Sequence, residues 1–586
     1  MKDLRAFLDA LRTERDVLEI DAEVDPRLEI PEIHRRVIEQ GGPALLFRRP
    51  KGSEMPVVTN LFGTNRRIDL AFGRRPLDFV KAAVRAATEL MPPTPAKLWG
   101  FRSLIAGALK VGTKRSGGAP VTEVVEDDVD LTRLPALTQW PEDGGPFLTL
   151  PLVYTELPGD GPHQSNLGMY RIQIHGKRTT GVHWQIGKGG GFHYHVAERR
   201  GQALPLTVFL GGPPALILGA IAPLPEGVPE LLLTSLLLGS RLPMVDVAGH
   251  PHRLVADAEV ALVGSVPPKA RRPEGPFGDH YGYYSLAHDY PVFEVSRVYR
   301  RRDAIFPATV VGKPRQEDFF IGDYLQELLS PLFPLVMPSV VDLWSYGDTG
   351  FHSLAAAVVK DRYGREAMAS AFRILGEGQL SLTKFLLLTD AKRDLRDFRG
   401  LLSHLLARCR FETDLFVFSN LAMDTLDYTG PKVNEGSKGV LMGLGDAIRE
   451  LPAAFSGELP AGVRNVAVFT AGALVVDGPS YAEDRDFARR LSQDAGAADW
   501  PLVVLVDDAP AAARDDRSFL WHVFTRFEPA ADLVGKHQEI VRNHVAFTPP
   551  VVLDARMKPW MPKVVEADPD TVRLVDRRWR EYFPKG

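Results

Sequence analysis

The sequence predicts an α/β protein with a small N-terminal α/β domain, a β-rich centre and a C-terminal α/β region that contains an internal duplication. Three observations support this prediction. Strand-like segments crowd the centre, alternating strand-like and helix-like segments flank it on both sides, and one C-terminal stretch repeats another without gaps. The predicted domains are 1–115, 116–320, 321–450 and 451–586.

The composition excludes several classes of protein. The chain has 586 residues and a net charge of −4, which argues against a nucleic-acid binder, and its hydrophobic and charged fractions are those of a globular protein. The single cysteine, Cys409, cannot form an internal disulfide, which fits a reducing compartment. Early charges argue against a signal peptide, and no apolar run reaches the roughly 20 residues of a membrane-spanning helix. The expected protein is soluble and cytoplasmic.

The N-terminal residues predict an amphipathic helix. Asp3 is a suitable N-cap, and the leucine and phenylalanine residues at positions 4, 7, 8 and 11 have the spacing of a buried helix face. Alternating strand-like and helix-like segments continue to about residue 110. A proline-rich stretch and a basic, glycine-containing stretch then interrupt this pattern, which predicts a domain boundary.

The centre of the chain favours strands. Six segments combine apolar or β-branched residues with flanking turn residues, namely 151–157, 169–175, 180–186, 205–210, 258–266 and 292–299. Two short helices are predicted over 214–222 and 230–238. Together these elements predict a β-rich barrel or sandwich.

The C-terminal half predicts two related α/β lobes. A shift of 118 residues superposes Asp390 on Asp508 and His404 on His522, and further identical residues follow without gaps. In each copy a short apolar run precedes the aspartate and an amphipathic helix follows it. Chance similarity between two strand–helix units is the alternative, but identity at His, Arg and Asp positions favours duplication.

A polar strand face is predicted after residue 166. In an extended strand Arg171, Gln173 and His175 share one face, whereas residues 170, 172 and 174 are aromatic or aliphatic and suit a core. The polar face therefore lines either solvent or a cavity, and the local pattern is compatible with both.

Residues 274–284, EGPFGDHYGYY, predict a tightly folded loop because they include three glycines and a proline. Glu274 and Asp279 lie at its two sides. If Arg171 lies beside them, it holds one carboxylate ionised while burial leaves the other protonatable, which is an arrangement for general acid–base catalysis. A surface loop with scattered acids is an equally good interpretation of this segment alone.

Residues 183–195, HWQIGKGGGFHYH, contain a glycine-rich stretch that can enclose a phosphate through its backbone N–H groups together with Lys188, although the Walker spacing is absent. His193 and His195 lie two apart on a predicted strand and suggest a metal site, but no nearby acid completes the set. Unliganded histidines are the more common outcome. Glu230 begins an apolar helix, where a carboxylate either stabilises the helix dipole or contacts a metal or cofactor.

Taken in this order, these segments resemble the UbiD family of reversible decarboxylases. The resemblance rests on NLGMYR at 166–171, on HW at 183–184, on LGA at 218–220 followed by prolines 223 and 225, on Glu230, and above all on EGPFGDH at 274–280 followed by GYY at 282–284. It is continuous from the N-terminus to about residue 320 and looser beyond that point.

The resemblance implies a split β-barrel over 116–320 that binds prenylated FMN supplied by a flavin prenyltransferase. It also implies a divalent metal ion, Mn²⁺ or Mg²⁺, together with K⁺, and a C-terminal region that forms a homo-oligomer such as a dimer or hexamer. The implied reaction is non-oxidative, reversible decarboxylation of an aromatic or α,β-unsaturated carboxylic acid.

The family also implies roles for individual residues. The implied catalytic residues are Arg171, Glu274 and Asp279, and the implied metal ligands are Asn166 and Glu230. The flavin contacts carried over are Met169, Tyr170, Arg171, His183, Trp184, Gln185, Lys188 and Gly189.

The sequence departs from the family pattern in two places. Gly187 stands where many members have a histidine that helps to hold cofactor and metal, so we expect a loosely held metal unless His193 or His195 compensates. Family chains commonly end soon after a characteristic short pattern, and two stretches of this chain, 435–438 and 553–558, are each similar to it. The duplication explains why there are two.

Two other functions are compatible with the sequence. The main alternative is a non-catalytic flavin-binding or assembly subunit of a multi-component carboxylase. The retention of Arg171, Glu274 and Asp279 argues against it, because a scaffold does not need these residues. A hydrolase that uses His193 and His195 is a more distant alternative.

Overall fold

A computed structural model describes residues 1–184, 189–224, 227–313, 315–458 and 460–584. The chain divides into two compact units. The first contains residues 1–328 and the residues from 563 onwards, and the second contains residues 329–562. Within the described ranges, no helix is both long enough and apolar enough to cross a bilayer.

The first unit begins with the predicted amphipathic helix. Asp3 caps it by accepting a hydrogen bond from Ala6 N at 2.8 Å, and the four predicted apolar residues are buried. The helices and strands of this N-terminal part are α1 (Leu4–Thr13), β1 (Val17–Val24), α2 (Glu29–Glu39), β2 (Ala44–Pro50), β3 (Val57–Thr59), α3 (Asn65–Phe72), α4 (Arg75–Glu89), α5 (Pro95–Gly100) and α6 (Arg102–Ala108).

The central part of the first unit is rich in strands, as the sequence predicts. Its elements are β4 (Thr113–Arg115), β5 (Val124–Glu126), β6 (Phe147–Leu148), β7 (Leu152–Leu157), β8 (Gly161–Met169), β9 (Ile172–Ile174), β10 (Thr179–Val182), α7 (Gly189–Arg199), β11 (Leu204–Leu210), α8 (Ala215–Ile221), α9 (Glu230–Leu238), β12 (Leu242–Val245), β13 (Leu254–Val255), β14 (Val260–Val266), β15 (Arg271–Glu274), β16 (Phe277–Gly278), β17 (Tyr284–Ser285), β18 (His288–Arg300), β19 (Phe306–Pro307) and α10 (Glu317–Leu329).

A ten-stranded sheet occupies the region where the barrel is expected. Its main path is β6-β9-β10-β18-β14-β11-β7-β8, and β5 and β15 also pair with β18. Every pairing in it is antiparallel, and alternate residues of its strands enter a core shared with β1, β2 and α2. A second sheet, β1-β2-β3-β19, carries the N-terminal part. The mixed α/β class predicted from the sequence is therefore confirmed.

The expected strand at His193 and His195 is wrong, because both residues lie on α7. His193, Tyr194 and Ala197 of this helix are buried, and their spacing matches one face of a helix rather than one face of a strand. Gly189, Gly190 and Gly191, which precede them, belong to the same helix. The predicted helices at 214–222 and 230–238 are present as α8 and α9.

The second unit contains the two lobes. Its elements are α11 (Phe333–Val336), β20 (Val340–Ser345), β21 (Leu354–Val359), α12 (Glu366–Leu375), β22 (Phe385–Thr389), α13 (Phe398–Leu406), α14 (Phe411–Asp414), β23 (Leu415–Ala422), β24 (Glu435–Met442), β25 (Asn465–Thr470), β26 (Ala473–Asp477), α15 (Phe487–Ser492), β27 (Leu502–Val506), α16 (Ala509–Ala513), α17 (Asp516–Phe524), α18 (Pro529–Asp532), β28 (Leu533–Val541) and β29 (His544–Asp554).

The two lobes have the same topology, which confirms the internal duplication. The sheet orders are β20-β21-β22-β24-β23 and β25-β26-β27-β29-β28. In both sheets the two outer pairings are antiparallel and the two inner pairings are parallel. Apolar residues from both sheets share one core.

The end of the chain differs from the expectation that residues 451–586 form one lobe. The last strand of the second lobe ends at Asp554, and the chain rejoins the first unit at Lys563. There α19 (Pro569–Tyr582) packs on α2, with Val575 and Tyr582 in the core. The apolar stripe of α19 predicts an amphipathic helix but carries no information on which part of the molecule covers it.

Candidate active site

Arg171 lies at the centre of the cluster of charged residues that the sequence predicts. It follows β8, and its guanidinium binds Glu274 through two bonds, Nε to Oε1 at 2.8 Å and Nη2 to Oε2 at 2.9 Å. Nη1 donates to Asp279 Oδ2, and Nη2 also donates to Ser285 Oγ at 2.9 Å. The guanidinium carbon lies 4.7 Å from the centre of the Phe277 ring. One arginine therefore holds both predicted acids at once.

The polar strand face lines this site rather than solvent. Gln173 Oε1 accepts from Gly275 N at 2.8 Å, and its Nε2 donates to Gly144 O at 2.8 Å. A Cβ added to Gly181 would lie 2.8 Å from His175 Nε2 and 3.1 Å from Glu274 Cγ, so the absence of a side chain at Gly181 leaves room for these two side chains. The predicted alternation of polar and apolar positions is thus correct, and the polar face supports Glu274.

Asp279 is carried by a short hairpin, residues 274–285, which we call the catalytic hairpin. Its strands are β16 and β17, and within its turn Asp279 N donates to Tyr283 O at 3.0 Å and Gly282 N donates to Asp279 O at 2.8 Å. Gly278 is needed here, because a Cβ would lie 2.1 Å from Trp140 Cδ1. The tight loop predicted from its glycines is therefore present, and it is buried rather than on the surface.

The two acids are ionised in this arrangement. Burial alone would raise the pKa of Glu274, but the hydrogen bonds from Arg171 and His183 outweigh it and lower that pKa to about 2. Burial also acts against ionisation of Asp279, whereas His280 and the charge of Arg171 lower its pKa below the usual range. Two carboxylates and one guanidinium thus form a buried network, and His280 lies beside Asp279 with 2.8 Å between Nδ1 and Oδ1.

His183 and Tyr290 extend this network. His183 Nδ1 lies 3.1 Å from Glu274 Oε2, and the Tyr290 ring covers the imidazole with 4.3 Å between ring centres. Burial and the charge of Arg171 lower the pKa of His183, so the ring is neutral near pH 7. The motifs predict His183 only as a flavin contact and give no indication of Ser285 or Tyr290. Both residues follow the loop motif in the sequence, but their spacing from it does not indicate that they contact the charged cluster.

The two predicted metal ligands are in contact with each other. Asn166 Nδ2 donates to Glu230 Oε1 at 2.9 Å, and Leu167 N donates to Glu230 Oε2 at 2.8 Å. Burial raises the pKa of Glu230, so a cation beside it would favour the charged form. Within the described ranges, no three His, Cys, Asp or Glu side chains form a metal-binding group. Two oxygen donors therefore fit a hard cation only if further ligands come from a bound molecule or water.

The region beside these ligands fits a flavin phosphate. Trp184 Nε1 is buried and has no hydrogen-bond partner within the described chain. The N-terminus of α7 lies against Asn166, since a Cβ on Gly189 would be 2.7 Å from its Nδ2. Free N–H groups at a helix N-terminus favour an anion. The donors and the close backbone approach therefore fit a phosphate and a bound cation.

The remaining predicted contacts are placed as follows. Tyr170 is partly buried and its hydroxyl donates to Asn166 Oδ1 at 3.1 Å, and Met169 ends β8. Gln185, Gly187 and Lys188 lie outside the described residues. His193 Nδ1 bonds Thr155 Oγ1 at 2.9 Å, whereas His195 is exposed on α7.

Comparison with family profiles covers most of the chain. The profile of the 3-octaprenyl-4-hydroxybenzoate carboxy-lyase N-terminal domain matches residues 8–87, that of the Rift-related domain of this enzyme matches 113–314, and that of its C-terminal domain matches 319–443. The second match contains every residue of the charged network described above.

Relatives match over their whole length. An uncharacterized protein of Chlamydia trachomatis is 51% identical over 100% of both chains, and a Chlamydia pneumoniae protein named for one subunit of a 4-hydroxybenzoate decarboxylase is 49% identical over 100% of this chain and 99% of its own. The UbiD-class enzyme HmfF of Pelotomaculum thermopropionicum, solved with FMN, is 25% identical with a TM-score of 0.63, covering 75% of this chain and 94% of HmfF.

A further structure shares the fold. Vanillic acid decarboxylase of Sedimentibacter hydroxybenzoicus superposes with a TM-score of 0.67 at 24% identity, covering 78% of this chain and 96% of that enzyme. The family profiles, the full-length relatives and the matching folds agree with the resemblance inferred from the sequence motifs. The chain therefore belongs to the UbiD family and is a carboxy-lyase.

Proposed function

We propose that the protein catalyses the non-oxidative, reversible decarboxylation of an aromatic or α,β-unsaturated carboxylic acid with prenylated FMN. The observation that carries this proposal is the buried network in which Arg171 binds Glu274 and Asp279 together. Loss of CO₂ from an sp² carbon leaves an electron pair that ordinary side chains cannot delocalise, and prenylated FMN supplies the electron sink when bound. The residues of the chain then hold the substrate and deliver one proton per turnover.

The network suggests how an ionised acid becomes a proton donor. Arg171 already binds two side-chain carboxylates, and a substrate carboxylate would compete for the same guanidinium. A buried carboxylate that loses part of its positive partner has a raised pKa, so it takes up a proton. We assign this role to Glu274 because its side chain is fully buried. When Arg171 also binds a substrate carboxylate, water cannot stabilise the charge of Glu274 in place of the arginine. Asp279 then keeps the guanidinium in place.

The cofactor phosphate is assigned to the region of Asn166, Glu230 and the N-terminus of α7. Asn166 and Glu230 would hold Mn²⁺ or Mg²⁺ against the phosphate, K⁺ is the proposed additional ion, and Trp184 Nε1 would donate to the cofactor. Tyr170 orients Asn166 through its hydroxyl. A flavin prenyltransferase is the proposed source of the cofactor, and a homo-oligomer is the proposed assembly.

The names of two similar proteins suggest which carboxylic acids to test first as substrates. The Chlamydia pneumoniae relative is named for a 4-hydroxybenzoate decarboxylase, and one structural neighbour is a vanillic acid decarboxylase. Hydroxylated benzoic acids are therefore the first candidates, and carboxylated heteroaromatic and vinylic acids are the second.

The test is to co-express the chain with a flavin prenyltransferase and to supply Mn²⁺ and K⁺. The purified protein should release prenylated FMN on denaturation, convert at least one acid to its decarboxylated product, and incorporate solvent deuterium at the vacated carbon. Glu274→Gln is the matched control, since it keeps the size of the side chain but has no acidic proton. A preparation without any flavin would refute the proposal.

The alternative of a non-catalytic subunit has a different expected result. Such a protein would bind flavin but would exchange no deuterium into any product, and Glu274→Gln would behave like the wild type. Preservation of the full set of contacts around Arg171 favours the catalytic proposal, because a buried network of this kind is costly to keep without use.

A further inference from the structure

The chain returns to the first unit at Lys563, and the residues that follow lie on the catalytic hairpin. We call residues 563–582 the returning segment. Tyr284 N donates to Lys563 O at 3.0 Å, and Val565 N donates to Gly282 O at 3.0 Å. Tyr283 and Val564 form an antiparallel bridge between these bonds. The returning segment thus adds a third short strand to a hairpin that otherwise has two.

Side chains reinforce this pairing. Val565 is 4% exposed and packs with Trp140 and Tyr284 in a small apolar cluster. Tyr284 Oη accepts from Glu142 N at 3.2 Å, and Lys563 Nζ lies 2.8 Å from Glu142 Oε1. The last pair is exposed and contributes little. The buried valine and the two backbone bonds are therefore the main contacts.

The hairpin needs such support because it is short. Within the hairpin only Phe277 pairs with Ser285 and Gly278 with Tyr284, and a two-stranded hairpin without outside contacts is marginally stable in water. Asp143 and Gln173 accept hydrogen bonds from Gly278 N and Gly275 N on the side of the first strand, whereas the returning segment pairs with the second strand. The same hairpin supplies Phe277, Asp279 and Ser285 to the guanidinium of Arg171. Displacement of the hairpin would thus remove several contacts of the arginine at once.

The returning segment is itself firmly attached to the N-terminal part. Val575 and Tyr582 are buried in its core, and Tyr582 Oη donates to Glu29 Oε1. Arg36 bonds both Asp576 Oδ1 at 2.6 Å and Val572 O at 3.1 Å. These contacts hold α19 in place. Because residues 563–565 precede α19 by only a few residues, the helix also restrains their position.

We infer that the returning segment is a positioning element of the active site: residues 563–565 hold the catalytic hairpin in the conformation in which Asp279 and Ser285 engage Arg171. The matching family profiles end at residue 443, so this role lies in a part of the chain beyond them. The catalytic part of the inference rests on the proposed function.

The test uses two variants of the full-length protein, Val565→Asp and Val564→Asp. Both introduce the same charge in the same strand, but Val565 is buried against Trp140 and Tyr284 whereas Val564 is partly exposed. Val565→Asp should release the hairpin, and Val564→Asp is the matched control. Val565→Ile keeps an apolar side chain and should behave like the wild type. Should Val565→Asp be insoluble, Val565→Ala replaces it.

Hydrogen exchange is the readout that does not require turnover. In Val565→Asp the amides of Asp279, Gly282 and Tyr284 should exchange at least tenfold faster than in Val564→Asp, while the amides of α1 keep their protection. With a substrate, kcat should fall by roughly 100-fold, because small misplacements of catalytic groups have effects of this size. The KM should change much less.

Three results would overturn the inference. Unchanged exchange in the hairpin would show that the returning segment does not hold it. Equally faster exchange in α1 would show that the segment only stabilises the whole unit. A released hairpin with unchanged kcat would show that its position does not matter for catalysis. If the wild type decarboxylates no acid, the proposed function fails, but the exchange experiment still decides whether the segment positions the hairpin.

Discussion

Replacement of Arg171 by methionine tests the central feature of the site. Methionine keeps most of the volume and removes the charge, so Glu274 and Asp279 remain buried without their shared partner. Burial then dominates, and the pKa of Glu274 should rise from about 2 to above its ordinary value of 4.5. The substitution therefore converts a stabilising carboxylate into a destabilising one.

The magnitude follows from this shift. A pKa lowered from 4.5 to about 2 corresponds to about 3 kcal/mol of stability at neutral pH, since each unit is worth about 1.4 kcal/mol. This contribution is present above pH 4.5 and is lost as the pH falls through about 2. In the variant the contribution of Glu274 to stability has the opposite sign. It is absent below pH 4.5, where Glu274 is protonated in both states, and stability is lost as the pH rises from 4.5 through the raised pKa.

The assay is thermal unfolding of wild type and Arg171→Met between pH 4.5 and 8. At pH 7.5 the variant should be less stable by more than about 3 kcal/mol, or at least about 4 °C for a unit of this size, because the cost of the unpaired charge adds to the lost contribution. The difference should narrow to about 3 kcal/mol at pH 4.5, where Glu274 of the variant is protonated and only the lost wild-type contribution remains. A second substitution, Glu274→Gln, should restore much of the loss at pH 7.5 because it removes one unpaired charge.

Two results would refute this reasoning. One is a difference between wild type and variant that stays constant across the pH range. The other is a double variant that is no more stable at pH 7.5 than Arg171→Met, which would mean that Glu274 does not carry the buried charge.

Three further predictions concern single positions. Glu274→Gln should lower kcat by roughly 10²–10⁴-fold with little change in stability of the flavin complex, measured by steady-state kinetics and flavin release; activity within tenfold of wild type would move the acid role to Asp279. Glu230→Gln should weaken Mn²⁺ retention by roughly tenfold or more, measured by metal analysis after dialysis against a chelator, and equal retention would exclude Glu230 as a ligand. Gly278→Ala should destabilise the first unit by about 1–3 kcal/mol, because its Cβ would lie 2.1 Å from Trp140 Cδ1, and an unchanged unfolding midpoint would contradict that clash.

Much of the site could be predicted from the sequence because its residues lie in short motifs. The alternation around Arg171 predicted the polar face, and the glycines between residues 274 and 284 predicted the tight loop. The bounds of α9 at Glu230–Leu238 match the predicted helix, since an apolar run ends there at a glycine in the left-handed conformation.

Other features have no local signal. His193 and His195 were expected on a strand because a two-residue spacing suits one, but burial of residues 193, 194 and 197 on one face made the segment a helix. His183 contacts Glu274 across 91 residues of sequence, and Val565 contacts the hairpin from still farther along the chain. Contacts of this kind depend on how elements pack, and a single sequence does not encode them as a pattern.

The pairing of the catalytic hairpin with residues 563–565 has a consequence for synthesis of the protein. The ribosome makes these residues roughly 280 residues after the hairpin, a delay on the order of 15–60 s at about 5–20 residues per second. During that delay the ribosome makes residues 286–328 of the first unit and then both lobes of the second unit, while the loop with Asp279 has only two of its three strands. In a nascent chain the loop that carries Asp279 therefore acquires its third strand only after translation has passed residue 565.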